Sequence, residues 1–244
     1  MRFDLKKISL FIISALLALS IINANAQAEE PTPGYLLVLG RSTDRAKIIQ
    51  YSMTLPPIYA ATGGRYIGIG RPGGGVTCLA GLCEGRSAVV ATWADDKKIS
   101  AFWWGEAYRQ AVKLRDNAGV FTVVGLKGQA NVTPFEGGAL LVANFAVATE
   151  PASALAWLAS AAEGGARLLV KPETTAFTPL EGDALYNRVA LVSFASKDAR
   201  DKFAAAEATK ALIKNSTGTS LIALIAIDEP APPPPAQSSP APPK

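Results

Sequence analysis

The sequence predicts an α+β fold built from two tandem units, each with the element order βαββαβ. Three observations support this prediction. Buried-strand runs alternate with helical runs between residues 34 and 228, the element order of the first half recurs in the second half, and residues of the two halves align at a constant offset. A repeated order with a constant offset is typical of an internal duplication.

The first unit is predicted to span residues 34–128. It opens with the apolar run "GYLLVLGR", which is typical of a buried strand, and the following "STD" can cap a helix. Pro56 and Pro57 are expected to bend or break that helix because proline lacks the backbone donor. The rest of the unit is a short strand in "GGRYIGIGRPGGG", a strand at 87–93, one helix in "FWWGEAYRQAVKLRD" and a strand at 120–126.

The second unit is predicted to span residues 138–228 in the same order. From Leu79 onward the two halves align without a gap. The aligned pairs are Leu79 with Leu180, Gly81 with Gly182, Trp93 with Phe194, Phe102 with Phe203, Glu106 with Glu207 and Lys113 with Lys214.

The order βαββαβ is the split βαβ, or ferredoxin-like, arrangement of a four-stranded antiparallel sheet with both helices on one face. Its second face is apolar and needs cover. A duplicated chain can provide that cover by packing sheet against sheet as an intramolecular pseudo-dimer. The space between sheets and helices is then the natural place for a pocket.

Both ends of the chain are expected to lie outside this fold. Residues 1–26 have a basic start, a short apolar run and small residues at Ala24 and Ala26, which predicts a signal peptide cleaved after Ala26 and a periplasmic or secreted protein. The alternative, a retained membrane anchor, is disfavoured because the apolar run is shorter than the ~20 residues that a span requires. The Pro-rich segment 229–244 is predicted to be an extended tail that acts as a spacer or as a docking peptide for an envelope partner.

Composition excludes several classes of function. Removal of residues 1–26 reduces the net charge from +4 to +2, and the scattered cations do not predict a nucleic-acid partner. The chain has no histidine, which excludes Ser-His-Asp and Cys-His catalysis and histidine ligation of haem. The sequence therefore predicts no metal site and no cofactor.

Two cysteines, Cys78 and Cys83, lie in "CLAGLC". In an exported protein such a close pair predicts a disulfide that constrains a loop. The zinc alternative would need further ligands, and a redox role is more usual for a C-x-x-C spacing.

The motifs "GYLLVLGR", "LPPIYAATGGRYI" and "YRQAVKLR" in the first half, with "LEGDALYNRVALVSF" in the second, resemble those of the domain of unknown function (DUF) 1330 family. The resemblance covers nearly the whole mature chain as two copies. It implies the dimeric α/β-barrel version of the ferredoxin-like fold.

The two copies depart from the family pattern at different positions. The first has Ala80 where the family's Leu-Glu-Gly turn has glutamate. The second copy keeps Glu181. In the alignment it has Ala139 in place of Tyr35, Thr209 in place of Tyr108 and Ser216 in place of Arg115. We therefore expect any functional site to belong to the first copy.

The candidate ligand-binding residues are Arg65, Tyr66, Trp104, Tyr108 and Arg115. Trp104, Tyr108 and Arg115 share one stripe of the predicted helix, whereas Trp103 is expected to face the sheet. The aromatic residues either line a pocket or fill a core. The two arginines either hold an anionic ligand or pair with carboxylates, and the aligned Glu106 and Glu207 suggest surface ion pairs.

Three functions remain open from the sequence. The first is binding of a small, mostly apolar or weakly anionic molecule in the first unit. The second, by analogy with the fold superfamily, is a cofactor-independent oxygenase or isomerase with Tyr108 or Glu84 as proton donor or acceptor. The third is a non-enzymatic envelope interaction protein. Whether the protein is an enzyme is left open.

Overall fold

The computed structural model describes residues 31–146, 152–216 and 221–228. The predicted signal segment 1–26 and the Pro-rich tail 229–244 lie outside the described residues. Within the described ranges, no helix has the length and apolar character needed to cross a bilayer.

The first half of the described chain contains five strands and three helices. Asp44 caps the first helix by accepting a hydrogen bond from the backbone of Lys47, so the structure selects one of the three predicted caps. The elements are β1 (Gly34–Ser42), α1 (Arg45–Thr62), β2 (Arg65–Pro72), β3 (Gly75–Gly81), β4 (Ser87–Trp93), α2 (Lys97–Trp104), α3 (Glu106–Ala111), a 3₁₀ turn (Val112–Arg115) and β5 (Gly119–Lys127).

The second half follows a matching order. Its elements are β6 (Ala139–Phe145), α4 (Ala152–Glu163), β7 (Arg167–Val170), a 3₁₀ turn (Thr174–Ala176), β8 (Phe177–Glu181), β9 (Arg188–Phe194), α5 (Lys197–Ala204), α6 (Glu207–Lys214) and β10 (Leu221–Asp228). The predicted α+β class is confirmed.

The strands form one sheet with the order β7-β9-β6-β10-β3-β2-β4-β1-β5-β8. All pairings are antiparallel except a short parallel contact between β2 and β3. The sheet is curled. Its two edge strands, β7 and β8, are consecutive in the chain, and the Gln129 backbone just after β5 donates to the Leu169 carbonyl of β7 at 2.9 Å.

Three apolar clusters result from the alternation of side chains along the strands. On β1, for example, Tyr35, Leu37 and Leu39 belong to a central cluster that both halves share, whereas Leu36 and Val38 pack toward the helices of the first half. A third cluster lies between the second half's strands and helices. The central cluster is therefore the apolar inside of the curled sheet.

The prediction of four strands in each unit is wrong, because β3 and β8 are additional strands. They occupy aligned places in the two halves, and each pairs with the other half: β3 pairs with β10 and β8 pairs with β5. Their hydrogen-bonding partners are far away in sequence, so the local sequence pattern gives little sign of either strand. At the start of β3, the glycines of "RPGGGV" are more typical of a turn than of a strand.

Glycine is required at the end of each exchanged strand. Gly81 has φ of +81°, and a Cβ there would lie 2.2 Å from the Ile222 carbonyl oxygen. Gly182 has φ of +70°, and a Cβ there would lie 2.2 Å from the Phe121 carbonyl oxygen. Both the backbone conformation and the close approach of β10 or β5 therefore exclude a side chain.

The predicted break in α1 is wrong, because the helix continues through Pro56 and Pro57. The carbonyl oxygens that lose a helical hydrogen bond there belong to Ser52 and Met53. Both residues are exposed, so water can bond to these oxygens.

The prediction of a single helix over "FWWGEAYRQAVKLRD" is also wrong. Gly105 has an extended conformation, φ −64° and ψ 143°, and separates α2 from α3. The helical stripe that should have joined Trp104 to Tyr108 and Arg115 therefore does not exist.

The predicted alignment of Tyr35 with Ala139 is wrong by one residue. Tyr35 pairs with Thr92 on β4, and Leu140 pairs with Ser193 at the aligned place on β9. Leu140, and not Ala139, is therefore the counterpart of Tyr35.

We predict that Gly81→Ala and Gly182→Ala each destabilise the protein by roughly 3 kcal/mol, since each adds a backbone clash to a strained φ. Thermal unfolding followed by circular dichroism measures the effect. The matched control is Gly73→Ala, which has φ of +73° but open space around its Cβ and should cost only about 1 kcal/mol. Equal losses in all three variants would contradict the close approach between the halves.

Candidate functional site

An aromatic cluster lies beneath α1 on the outer face of the first half's strands. Tyr59 is 4 % exposed, and its ring centroid lies 4.6 Å from that of Tyr66 and 4.5 Å from that of Phe102. Phe102 in turn contacts Tyr108, with 4.6 Å between centroids. These rings give the space under α1 an aromatic floor.

A cavity of about 420 Å³ opens beside this cluster, between α1 and the outer faces of β1, β2 and β4. The volume suits a small organic ligand. Its walls are mostly apolar and include Leu36, Val38, Leu55, Ile69, Val89 and Phe121.

The polar side chains that line the cavity are four tyrosines, two arginines and the serines Ser42, Ser52 and Ser87. The Tyr51 and Tyr108 hydroxyl oxygens lie 3.0 Å apart and share a hydrogen bond. Tyr59 and Tyr66 are the other two tyrosines of the lining. Because Arg115 reaches the same space from the 3₁₀ turn after α3, it places a positive charge beside the Tyr51 and Tyr108 pair.

Arg115 is held by Glu181 of β8. Its Nη1 and Nη2 donate to the two carboxylate oxygens of Glu181 at 2.7 and 2.5 Å. The guanidinium carbon lies 4.3 Å from the centre of the Phe121 ring and 5.3 Å from that of Tyr51. The arginine side chain is 6 % exposed, so this bidentate pair compensates a nearly buried charge.

Burial controls the ionisation of the cavity groups. Desolvation, with a smaller contribution from Tyr51, raises the pKa of Tyr108 well above its ordinary value. Desolvation also raises the pKa values of Tyr59 and Tyr66. For Arg115, burial alone would lower the pKa, but the hydrogen bonds to Glu181 and the neighbouring Tyr51 and Tyr108 raise it overall.

At neutral pH the cavity therefore contains neutral phenols and a guanidinium that remains charged. The phenols can donate or accept hydrogen bonds, but the raised pKa values of Tyr59, Tyr66 and Tyr108 make these three poor bases. Across residues 31–146, 152–216 and 221–228, no group of acidic or cysteine side chains is placed to hold a metal ion. The arrangement is suited to hydrogen-bonded recognition of a mostly apolar molecule.

The structure brings together three of the five candidate residues, because Tyr66, Tyr108 and Arg115 all line the cavity. Trp104 does not line it: the side chain is 64 % exposed, and the Arg109 guanidinium lies 5.6 Å from its ring centre. Arg65 is exposed and also outside the lining. Trp103 is buried, and its ring, instead of that of Trp104, lies against Tyr108.

Sequence analysis missed Tyr51 and Tyr59 as site residues. Tyr51, Leu55 and Tyr59 recur every four residues, a spacing that puts them on one face of a helix. This spacing indicates a shared helix face, but the break expected at Pro56 would separate Tyr59 from Tyr51 and Leu55. Glu181 was noted as a motif residue, yet only the pairing of β8 with β5 brings it to Arg115.

Other predicted features lie away from the cavity. Cys78 and Cys83 form the predicted disulfide. Glu84, the alternative proton carrier, is exposed next to that loop and does not line the cavity. Glu207 forms the expected surface ion pair, with Lys210 at 2.8 Å, whereas its aligned counterpart Glu106 is exposed in the first turn of α3.

Residues 33–129 match the model of the family described as "Domain of unknown function (DUF1330)". This segment contains β1 to β5 and all the cavity residues named above. This match covers the first of the two copies that the motifs indicated. A comparison with curated proteins gives no match.

Several solved structures are similar to the chain. A candidate monooxygenase from Fusobacterium nucleatum is 10 % identical with a TM-score of 0.46, covering 82 % of this chain and 93 % of its own. A candidate monooxygenase from Lactobacillus acidophilus is 13 % identical with a TM-score of 0.43, covering 80 % and 92 %. A protein of unknown function from Rhodopseudomonas palustris is 20 % identical with a TM-score of 0.32, covering 44 % and 90 %. Similarity at this level says nothing about activity.

We predict that removing either partner of the Arg115 and Glu181 pair is destabilising and that the two losses are not additive. Glu181→Ala leaves a buried cation and should cost roughly 3 kcal/mol, whereas Arg115→Met leaves a carboxylate that reaches water and should cost about 1 to 2 kcal/mol. Urea unfolding of the single variants and the double variant measures the coupling. Strict additivity would show that the pair does not act as a unit.

Proposed function

We propose that the cavity under α1 binds a small, mostly apolar, uncharged molecule that carries a hydroxyl or carbonyl group. The observation that carries this proposal is the enclosure of one hydroxyl pair, Tyr51 with Tyr108, by apolar and aromatic walls. An apolar ligand body gains from burial against these walls, and one polar group can hydrogen-bond to the phenols.

The state of Arg115 supports an uncharged ligand over an anion. Glu181 already occupies both terminal nitrogens of the guanidinium, so the charge is neutralised within the protein. Arg71 also lines the cavity but is exposed at its edge. A negative group on a ligand would thus be better accommodated near Arg71 than in the interior.

We further propose that the two halves are tandem ferredoxin-like copies, 34–128 and 138–228, arranged as an intramolecular pseudo-dimer. The reciprocal exchange of β3 and β8 supports this arrangement. So does the division of the charged pair between the halves: Arg115 comes from the first and Glu181 from the second. By the same alignment, a second ion pair of this kind would join positions 216 and 80. These positions hold Ser216 and Ala80, so neither the arginine nor the glutamate is present.

A comparison of the halves favours a site in the first copy. Helices α1 and α4 are followed by Gly63 and Gly165, which both have a left-handed backbone conformation. When these two glycines are aligned, Tyr59 corresponds to Ala161 and Leu55 to Trp157. Trp157 is 1 % exposed and its indole Nε1 donates to the Thr209 hydroxyl at 3.0 Å. The second half thus has a bulky indole and small residues where the first half has the tyrosine cavity.

The alternative of a cofactor-independent oxygenase or isomerase receives less support from the cavity. Such chemistry needs a group that accepts a proton, and the raised pKa of Tyr108 opposes that role. Glu84 lies elsewhere, and Glu181 is engaged by Arg115. Donation of a hydrogen bond by Tyr108 to a developing oxyanion would still be compatible with the geometry.

The proposed ligand class is tested by titrating the protein with 2-naphthol, a two-ring phenol, in a calorimeter. We expect binding that Leu55→Trp abolishes, because this change copies the aligned Trp157. We also expect Tyr108→Phe to weaken binding about fivefold by removing one hydrogen bond.

The matched control is Trp104→Ala, which removes an exposed indole outside the cavity and should leave the affinity unchanged. Wild-type affinity in Leu55→Trp would reject the cavity as the site. A loss of affinity in Trp104→Ala would move the site to the surface of α2.

We also propose that the protein is exported to the periplasm after cleavage behind Ala26, on the strength of the amino-terminal sequence pattern. The intact mass of protein from a periplasmic fraction should correspond to residues 27–244, with two hydrogens fewer for the disulfide. A full-length mass in the cytoplasmic fraction would reject export.

A further inference from the structure

A second cavity of about 170 Å³ lies at one end of the curled sheet's interior. Leu39 and Thr122 line it from the first half, and Asn144 and Ala223 line it from the second. Tyr186, from the segment between β8 and β9, also lines it. Phe121 is common to this cavity and the one under α1, but the remaining walls differ.

Asn144 is the unusual member of this lining. It is 0 % exposed, and neither its amide nitrogen nor its amide oxygen has a hydrogen-bond partner among the described residues. A buried polar group left unpaired costs about 1 to 3 kcal/mol. Such a cost calls for an occupant of the cavity that satisfies both atoms.

The fold itself does not require a polar residue at this place. The strand register aligns β6 with β1, so that Asn144 takes the place that Leu39 has in the first half. Leu39 is buried and belongs to the central apolar cluster. Because an apolar side chain fits the aligned position, the unpaired amide is better explained by binding than by packing.

Tyr186 adds a second unpaired polar group to the same cavity. It is 6 % exposed, and its hydroxyl has no hydrogen-bond partner among the described residues. Burial raises its pKa, and the nearby Arg86 only partly offsets that effect, so the phenol stays neutral at physiological pH. Asn144 and Tyr186 together offer three N–H or O–H donors and two acceptor oxygens to an occupant.

The rim of the cavity is mostly apolar and also carries one positive and one negative side chain. Leu82, Val120 and Leu185 line it and are between 58 % and 70 % exposed. Arg86 and Asp183 line it as well and carry opposite charges. A ligand with a polar group at the floor and a short apolar chain at the rim matches this distribution.

We propose that this cavity is a second binding site, for a small neutral molecule whose adjacent donor and acceptor pair with the Asn144 amide, such as a short-chain primary carboxamide. A carboxamide can bond both atoms of the asparagine side chain at once, which a carboxylate cannot. It also brings no charge into a buried space. Its alkyl chain covers the exposed leucine and valine side chains at the rim.

The proposal is tested with butyramide as the probe and butyrate as the charged comparator of the same length. Nitrogen-edited NMR of the folded protein follows the Asn144 side-chain NH₂ signals during each titration. We expect butyramide to shift these signals at millimolar concentration and butyrate to bind more weakly. Asn144→Leu, which copies Leu39, should weaken butyramide binding at least about tenfold, and Tyr186→Phe should weaken it about fivefold.

Leu55→Trp is the matched control, because it fills the other cavity and should leave butyramide binding unchanged. Conversely, Asn144→Leu should leave 2-naphthol binding unchanged, so failure of one site is distinguishable from failure of the other. Tighter binding of butyrate would replace the proposal with recognition of charge by Arg86. Absence of binding by both probes, with ordered water bonded to Asn144 in a crystal structure, would overturn it.

Discussion

The reciprocal pairing of β3 with β10 and of β8 with β5 is the constraint on which the rest of the structure depends. Each half gives one strand to the sheet of the other half. This exchange covers two edges that would otherwise present unpaired backbone groups. It also encloses the central apolar cluster, to which both halves contribute. Without it, β10 and β5 would each lose a hydrogen-bonded neighbour.

The same exchange explains how a nearly buried arginine is tolerated. Arg115 projects from the end of the helical segment in the first half, where the aromatic cluster has removed most of the water. β8 brings Glu181 from the second half to meet both terminal nitrogens. The ion pair is therefore a product of the strand pairing, and its geometry fixes the arginine against the rings of Phe121 and Tyr51.

The two cavities differ because they lie on opposite faces of the sheet. The cavity under α1 is bounded by one helix and one face of the first half's strands, so it is aromatic and its hydroxyls are paired. The cavity at Asn144 and Tyr186 lies on the inner face, where residues of both halves meet and polar groups are left unpaired. Their chemistry is different for this reason, and the ligands proposed for them differ accordingly.

Several features were determined by the sequence alone. Local periodicity predicted the α+β class and the strands from β1 to β10 other than β3 and β8, because a buried strand leaves an apolar run whatever its partners are. The close spacing of Cys78 and Cys83 predicted their disulfide. Local motifs also indicated the DUF1330 family and three residues of the cavity: Tyr66, Tyr108 and Arg115.

Other features were decided only by tertiary structure. Gly105 breaks the expected helix and turns Trp104 toward solvent, although the stripe pattern placed it beside Tyr108. Conversely, α1 continues through Pro56 and Pro57, and the residues whose carbonyls lose their helical partners, Ser52 and Met53, are exposed. β3, β8 and the contact of Arg115 with Glu181 depend on segments that are distant in sequence. A local pattern records which residues are apolar or charged, but the partner of a strand edge or a buried charge is set by the packing of the whole chain.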